Sequence, residues 1–234
     1  MPDPFPHAVH DARRAIAAEL LGTAALLAVV VGSGIMGQRL AAGNGAVALL
    51  ANALATGFGL FVLITVLGPV SAAHFNPLVT VSACIAREIP ARRAVAYVAA
   101  QFVGALAGVM LAHLMFDLAS VQVGTQVRAG VGQLLGEAVA TAGLLLAIGG
   151  FSRHAPAQLP AGVGAYIAAA YWFTSSTSFA NPAVTLARAM TDTFAGIAPA
   201  STPWFFAGQS IGLLAGVSMT RWLFGSAPAR NSPG

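Results

Sequence analysis

Lysine is missing from this 234-residue chain and acids are nearly as scarce: seven Asp and Glu against eleven arginines leave 8% of the residues charged. That is too little charge to solvate the surface of a soluble domain of this size. The net charge of +4 does not make a nucleic-acid site, because the arginines fall between apolar stretches instead of gathering in one patch. A single cysteine, Cys84, excludes an intrachain disulfide, and its apolar neighbours suggest a packed thiol. No nucleophile stands with a paired base and no cluster has metal-ligand spacing. The sequence therefore offers no catalytic residue, no metal site and no cofactor.

What the chain has is apolar length, with 57% hydrophobic residues and a mean hydropathy of +0.79. Six stretches have the roughly 18 to 25 residues that a bilayer core requires: 12–35, 46–68, 92–116, 131–150, 160–177 and 203–225. The first follows Arg13 and Arg14, yet it is too long for a signal-peptide core and lacks a clear small-x-small end, so it reads as a retained span. Residues 1–10 and 226–234 read as disordered tails around one domain over 11–225. Arg13, Arg14, Arg87, Arg92, Arg93, Arg153, Arg221 and Arg230 fall on one side of the spans, and Arg39, Arg128 and Arg188 on the other. The larger group marks the inner face, which makes both termini cytoplasmic.

Two shorter apolar stretches remain, Asn76 to about Ala86 and Asn181 to about Met190. At 1.5 Å per residue each reaches about 15 Å, half the hydrocarbon thickness, so neither spans alone. Each opens on a related tripeptide, Asn76-Pro77-Leu78 and Asn181-Pro182-Ala183. Asn is a strong N-cap and Pro is favoured at the first helical position, so a helix begins at each. The N–H donors and partial positive charge of such an end cannot face lipid, so they must meet protein or a water-filled path. With the Asn carbonyls capping their own helices, the amide N–H groups are left to face a lumen as donors.

The two halves repeat. Glu19-Leu-Leu-Gly-Thr23 in the first span matches Glu137-Ala-Val-Ala-Thr141 in the fourth. In the third span Gln101, Gly104 and Gly108 match Gln209, Gly212 and Gly216 in the sixth. Three spans per half is an odd number, so the second half enters the membrane inverted and the two short helices meet near the midplane. The glycines have the small-xxx-small spacing of close helix crossings. These features predict an all-α membrane protein of six transmembrane helices plus two re-entrant half-helices in an inverted repeat.

Paired Asn-Pro-Ala-type motifs, a Glu near the start of spans one and four, His-Phe-Asn-Pro at 74–77 and glycine-rich spans three and six resemble the aquaporin and glycerol-facilitator family, the major intrinsic proteins. The resemblance covers roughly residues 12 to 225. It implies a homotetramer of six-helix protomers in the lipid bilayer, each with its own pore for small neutral solutes. Family water channels usually carry an arginine directly after the second motif; this chain has Val184, with Arg188 one turn farther on and expected nearer the outer surface. Matched by distance from the motifs, the other filter positions are Thr56, Ser178 and a span-five residue between Ala169 and Trp172, with Ala169 and Tyr171 as candidates. The run from Asn181 to Ile197 also resembles a bacterial branch associated with arsenic detoxification, which implies a bacterial inner membrane.

At the span-two position water-selective members of the family carry a bulky aromatic where this chain has Thr56, and losing a guanidinium and an aromatic widens a constriction and relaxes cation exclusion. The expected solutes are glycerol-like polyols or metalloid hydroxides such as arsenous acid, together with water; a strict water channel is the narrower alternative. Glu19 and Glu137 could relay protons in a coupled inverted-repeat transporter, or could accept hydrogen bonds from the irregular backbone that enters each half-helix. His74 could titrate and gate a pore, or pack beside it. Tyr171 and Trp172 could line the filter or anchor span five at the interface. An occluded, purely structural membrane protein is the remaining class.

Overall fold

A computed structural model describes residues 12–225, and the tails assigned to 1–10 and 226–234 lie outside the described residues. Among the described residues the regular elements are all helical: α1 (Ala12–Leu40), α2 (Gly45–Ser71), α3 (Pro77–Ile85), α4 (Ala91–Met115), α5 (Val131–His154), α6 (Leu159–Phe173), α7 (Pro182–Arg188) and α8 (Thr202–Phe224), with 3-10 turns at Pro156–Gln158 and Pro199–Ser201. The first four helices repeat as the last four. α1 packs on α4 as α5 packs on α8, and α2 leans on α1 as α6 leans on α5. The short helices α3 and α7 touch each other, and each also contacts the long helix of the opposite repeat, α8 and α4 respectively.

Close crossing explains the glycines. A Cβ at Gly104 or Gly108 of α4 would collide with the Leu20 or Ala24 carbonyl of α1. In the second half Gly208 and Gly212 of α8 face the Leu134 and Ala138 carbonyls of α5, and Gly216 lies against Leu145 and Ala142. Polar residues are buried inside the bundle while Leu50, Phe58, Val62, Val66, Val95, Leu114 and Leu214 point outward. That inverted distribution is what a lipid solvent permits.

Four helices, α1, α2, α4 and α5, are by length and composition long and apolar enough to cross a membrane. Span five is shorter than its expected 160–177, because α6 stops at Phe173 after 15 residues, roughly 22 Å. The cause is the run Thr174-Ser-Ser-Thr-Ser178, whose hydroxyls compete for the backbone. Thr174 Oγ1 donates to the Ala170 carbonyl, and Ser178 N donates to Ser176 Oγ. Helix α8 is long enough at 23 residues, but Gln209, Ser210, Ser218, Thr220 and Arg221 dilute its apolar character. Helices α1 and α5 run farther than expected, to Leu40 and His154.

The arginines separate to two ends. Arg39 reaches the Phe116 carbonyl, and Arg128 bonds to the segment around Gly196 that follows α7. At the other end Arg221 donates to the Ile85 carbonyl and Arg153 to Gly149 and Gly225. Cys84 is half-buried on α3.

Candidate functional site

The two Asn-Pro motifs cap their helices as their residue types require. Asn76 and Asn181 both hold extended backbones, at φ −151° and −159°. Asn76 Oδ1 accepts from Leu78 N at 2.9 Å; Asn181 Oδ1 accepts from Ala183 N at 2.9 Å and Val184 N at 3.2 Å. Pro77 and Pro182 occupy the first helical turn. The amides depart from the expectation that all their N–H groups face a lumen. Asn76 Nδ2 donates to the Ala180 carbonyl at 2.7 Å, and Asn181 Nδ2 donates to the Phe75 carbonyl at 2.8 Å. Each NH2 carries two hydrogens, so one on each side ties the opposing loop and one remains.

The loops entering α3 and α7 carry left-handed residues at matching places: Ala72, Ala73 and Phe75 in one, Thr177, Ser178 and Ala180 in the other, at φ between 47° and 69°. For residues with a Cβ this conformation costs about 1–2 kcal/mol apiece and persists only where the surroundings hold it. The two glutamates provide that hold. Glu19 accepts from Ser71 Oγ (2.6 Å), His74 N (2.9 Å), Phe75 N (2.7 Å) and Gln101 Nε2 (2.7 Å). Glu137 accepts from Phe179 N (2.8 Å), Ala180 N (2.8 Å) and Gln209 Nε2 (2.6 Å), with Ser176 as a further side-chain donor. Both carboxylates are fully buried. Their lone pairs are occupied by fixed donors, which favours the structural role over the proton relay.

Thr23 and Thr141 do not serve these carboxylates. Thr23 Oγ1 donates to the Glu19 backbone carbonyl at 2.7 Å, whereas Thr141 Oγ1 is buried without a hydrogen-bond partner. The partners that do serve, Ser71 and Ser176, stand five residues before Asn76 and Asn181, a repeat visible in the sequence but easily overlooked among small residues. Gln101 and Gln209 each bridge a glutamate to a half-helix hydroxyl, at Thr80 (2.9 Å) and Thr185 (2.8 Å). His74 is a packing group: Nδ1 pairs with Thr80 Oγ1 at 3.0 Å and its ring meets Tyr97 edge-on at 5.6 Å.

Of the filter candidates, Thr56, Tyr171, Ser178 and Val184 are all buried, at 2–5% exposure, and Thr56 Oγ1 lies 3.2 Å from the Tyr171 hydroxyl. Ala169 is exposed on α6, so Tyr171 is the span-five residue brought to Thr56. Trp172 is also exposed, in keeping with an interfacial anchor. Ser178 Oγ is buried without a partner. Arg188 is 2% exposed, its Nε donates to the Ala195 carbonyl, and its guanidinium carbon lies 3.5 Å from the Phe179 ring centroid. Arg128 approaches the same ring at 5.6 Å. Burial pulls the Arg128 guanidinium down from its ordinary pKa, with Tyr171 and Glu137 opposing the shift. Among the described residues no group of three or more His, Cys, Asp or Glu is placed to hold a metal ion.

The family model described as "Major intrinsic protein" matches residues 8–158. The chain is 49% identical over 220 residues to the Aquaglyceroporin AqpS of Rhizobium meliloti (strain 1021), covering 94% of this chain and 93% of that one. It is 41% identical to the Aquaporin-2 of Rattus norvegicus over 100 residues, 43% of this chain and 35% of the relative. Among solved structures it resembles the aquaglyceroporin from Plasmodium falciparum with a TM-score of 0.72 at 19% identity, covering 91% of this chain and 95% of that chain, a likeness of fold.

Proposed function

We infer, from a chain that belongs to the major intrinsic protein family and is therefore a transmembrane channel for small solutes and no enzyme, that the solutes it passes are uncharged hydroxylated molecules larger than water, glycerol-like polyols and metalloid hydroxides such as arsenous acid, with water passing as well. The observation that carries this reading is Val184. A buried neutral side chain directly follows the second motif, and Thr56 and Tyr171 form a buried hydroxyl pair. An apolar wall beside a hydroxylated one suits a solute that presents both carbon or metalloid surface and hydroxyl groups. The remaining amide hydrogens of Asn76 and Asn181, at helix ends of positive potential, give such a solute donors at the midplane.

Passive movement fits the two glutamates, whose oxygens are occupied by the loops they hold. The relative named an aquaglyceroporin supports the solute class, and the resemblance supports a homotetramer with cytoplasmic termini in a bacterial inner membrane.

Stopped-flow swelling of proteoliposomes with water, glycerol and arsenous acid side by side tests the reading. Flux of all three above bare liposomes, linear with gradient and independent of pH, is expected. Water flux alone identifies a strict water channel, saturable pH-dependent flux a coupled transporter, and zero flux an occluded membrane protein. Val184→Arg is expected to reduce glycerol flux by about ten-fold while sparing water; equal flux of both in the variant overturns the filter assignment.

A further inference from the structure

Arg188 is the bulkiest of the fully buried side chains, and the channel reading above gives it no task. A guanidinium taken out of water is costly unless its donors and its charge are used. Its Cα lies on the last residue of α7, one turn beyond Val184. Helical side chains lean toward the N-terminus, however, and a turn rises only about 5.4 Å, so a long side chain from position 188 returns to the level of 184. The guanidinium stacks over Phe179 at 3.5 Å and its Nε donates to the Ala195 carbonyl, with Tyr171 within electrostatic reach.

Two further contacts give this placement a purpose. Arg128 faces the same Phe179 ring and is itself fixed by Gly196 O at 3.1 Å, Gln126 Oε1 at 3.0 Å and Thr177 Oγ1 at 3.4 Å, all neutral oxygens. One aromatic ring thus braces two cations, each attracted to its π face. The Tyr171 hydroxyl, an electrostatic partner of both guanidiniums, lies 3.2 Å from Thr56 Oγ1.

We propose that Arg188 is a specificity-determining residue of this channel: its guanidinium, sharing the Phe179 ring with Arg128, is a fixed positive charge near the Thr56–Tyr171 group and keeps cations out of a filter whose position 184 is neutral. This rests on the reading of Thr56, Tyr171, Ser178 and Val184 as the filter. It replaces the expected relaxation of cation exclusion with retention by another route.

The test uses the full chain in proteoliposomes, reading proton entry under an imposed membrane potential with a trapped pH dye and glycerol swelling in the same vesicles. Arg188→Leu is expected to raise proton entry by about ten-fold, with a rise in glycerol flux. Adding Val184→Arg to Arg188→Leu is expected to restore exclusion, because the charge returns to the same place from the adjoining turn; a side chain that merely packed would not be replaced this way. Wild-type proton entry in an Arg188→Leu channel that still passes glycerol overturns the proposal, as does a leak that Val184→Arg fails to repair. Where the leucine variant does not insert, Arg188→Gln, which keeps length and polarity but not charge, is read by the same criteria. A wild-type channel that passes water but no glycerol overturns the solute reading alone, and the proton readout still decides on Arg188.

Discussion

The two half-helix loops are alike in the residues that hold their backbones and unlike in those around the proposed filter. Counted from their asparagines, both place serine five residues earlier, left-handed residues at the same three positions, and a buried carboxylate behind them, with a glutamine tied to a threonine four residues on. The loops differ at Ala72 and Thr177, at Ala73 and Ser178, and, two residues before each asparagine, at His74 and Phe179. The difference is widest seven residues after, where Ala83 of α3 corresponds to Arg188 of α7. His74 bonds within its own loop, whereas Phe179 carries two guanidiniums. The symmetric positions hold the backbone, and the asymmetric ones are those to which selectivity is ascribed above.

The likeness is broken hardest at the carboxylates. Glu19→Leu and Glu137→Leu each strand buried donors worth about 1–3 kcal/mol apiece, and both are expected to lose the folded channel in detergent size-exclusion traces. If one variant stays folded, the two loops are not held by equivalent means. A smaller effect is expected from the helix crossings: Gly104→Leu in α4 and Gly212→Leu in α8 both drive a side chain into a carbonyl of the facing helix, costing about 1–3 kcal/mol each as a fall in Tm. A large difference between them would show that the two halves do not pack with the same closeness. The smallest effect separates the halves. Thr23→Val removes a hydrogen bond and costs about 0.5–1 kcal/mol, whereas Thr141→Val removes a buried hydroxyl without a partner and is neutral or stabilising. Equal destabilisation by the two would show that the Thr141 hydroxyl is satisfied after all.

The symmetric half of the design was legible in the sequence because it rests on residue types with strong local meaning. Asn before Pro announced both helix starts, and Glu with Gln in corresponding spans announced the polar core. What escaped depends on direction in space. Spacing does not say which ring a long side chain reaches, and Arg188 reaches Phe179. Counting from the motif left Ala169 and Tyr171 as alternatives because the length of the loop between α6 and α7 was unknown. The spacing of Glu19 and Thr23 shows a repeat but not a bond, and the bond Thr23 makes is to the Glu19 backbone carbonyl.

The reciprocal bonds between Asn76 and the Ala180 carbonyl and between Asn181 and the Phe75 carbonyl join points 104 and 106 residues apart in the chain. During synthesis the first loop is complete long before its acceptor exists. Asn76 can cap α3 alone, but its outward amide hydrogen has no protein partner until the second loop arrives from the opposite face. The bond pair at the centre therefore closes only when both halves of the chain are present.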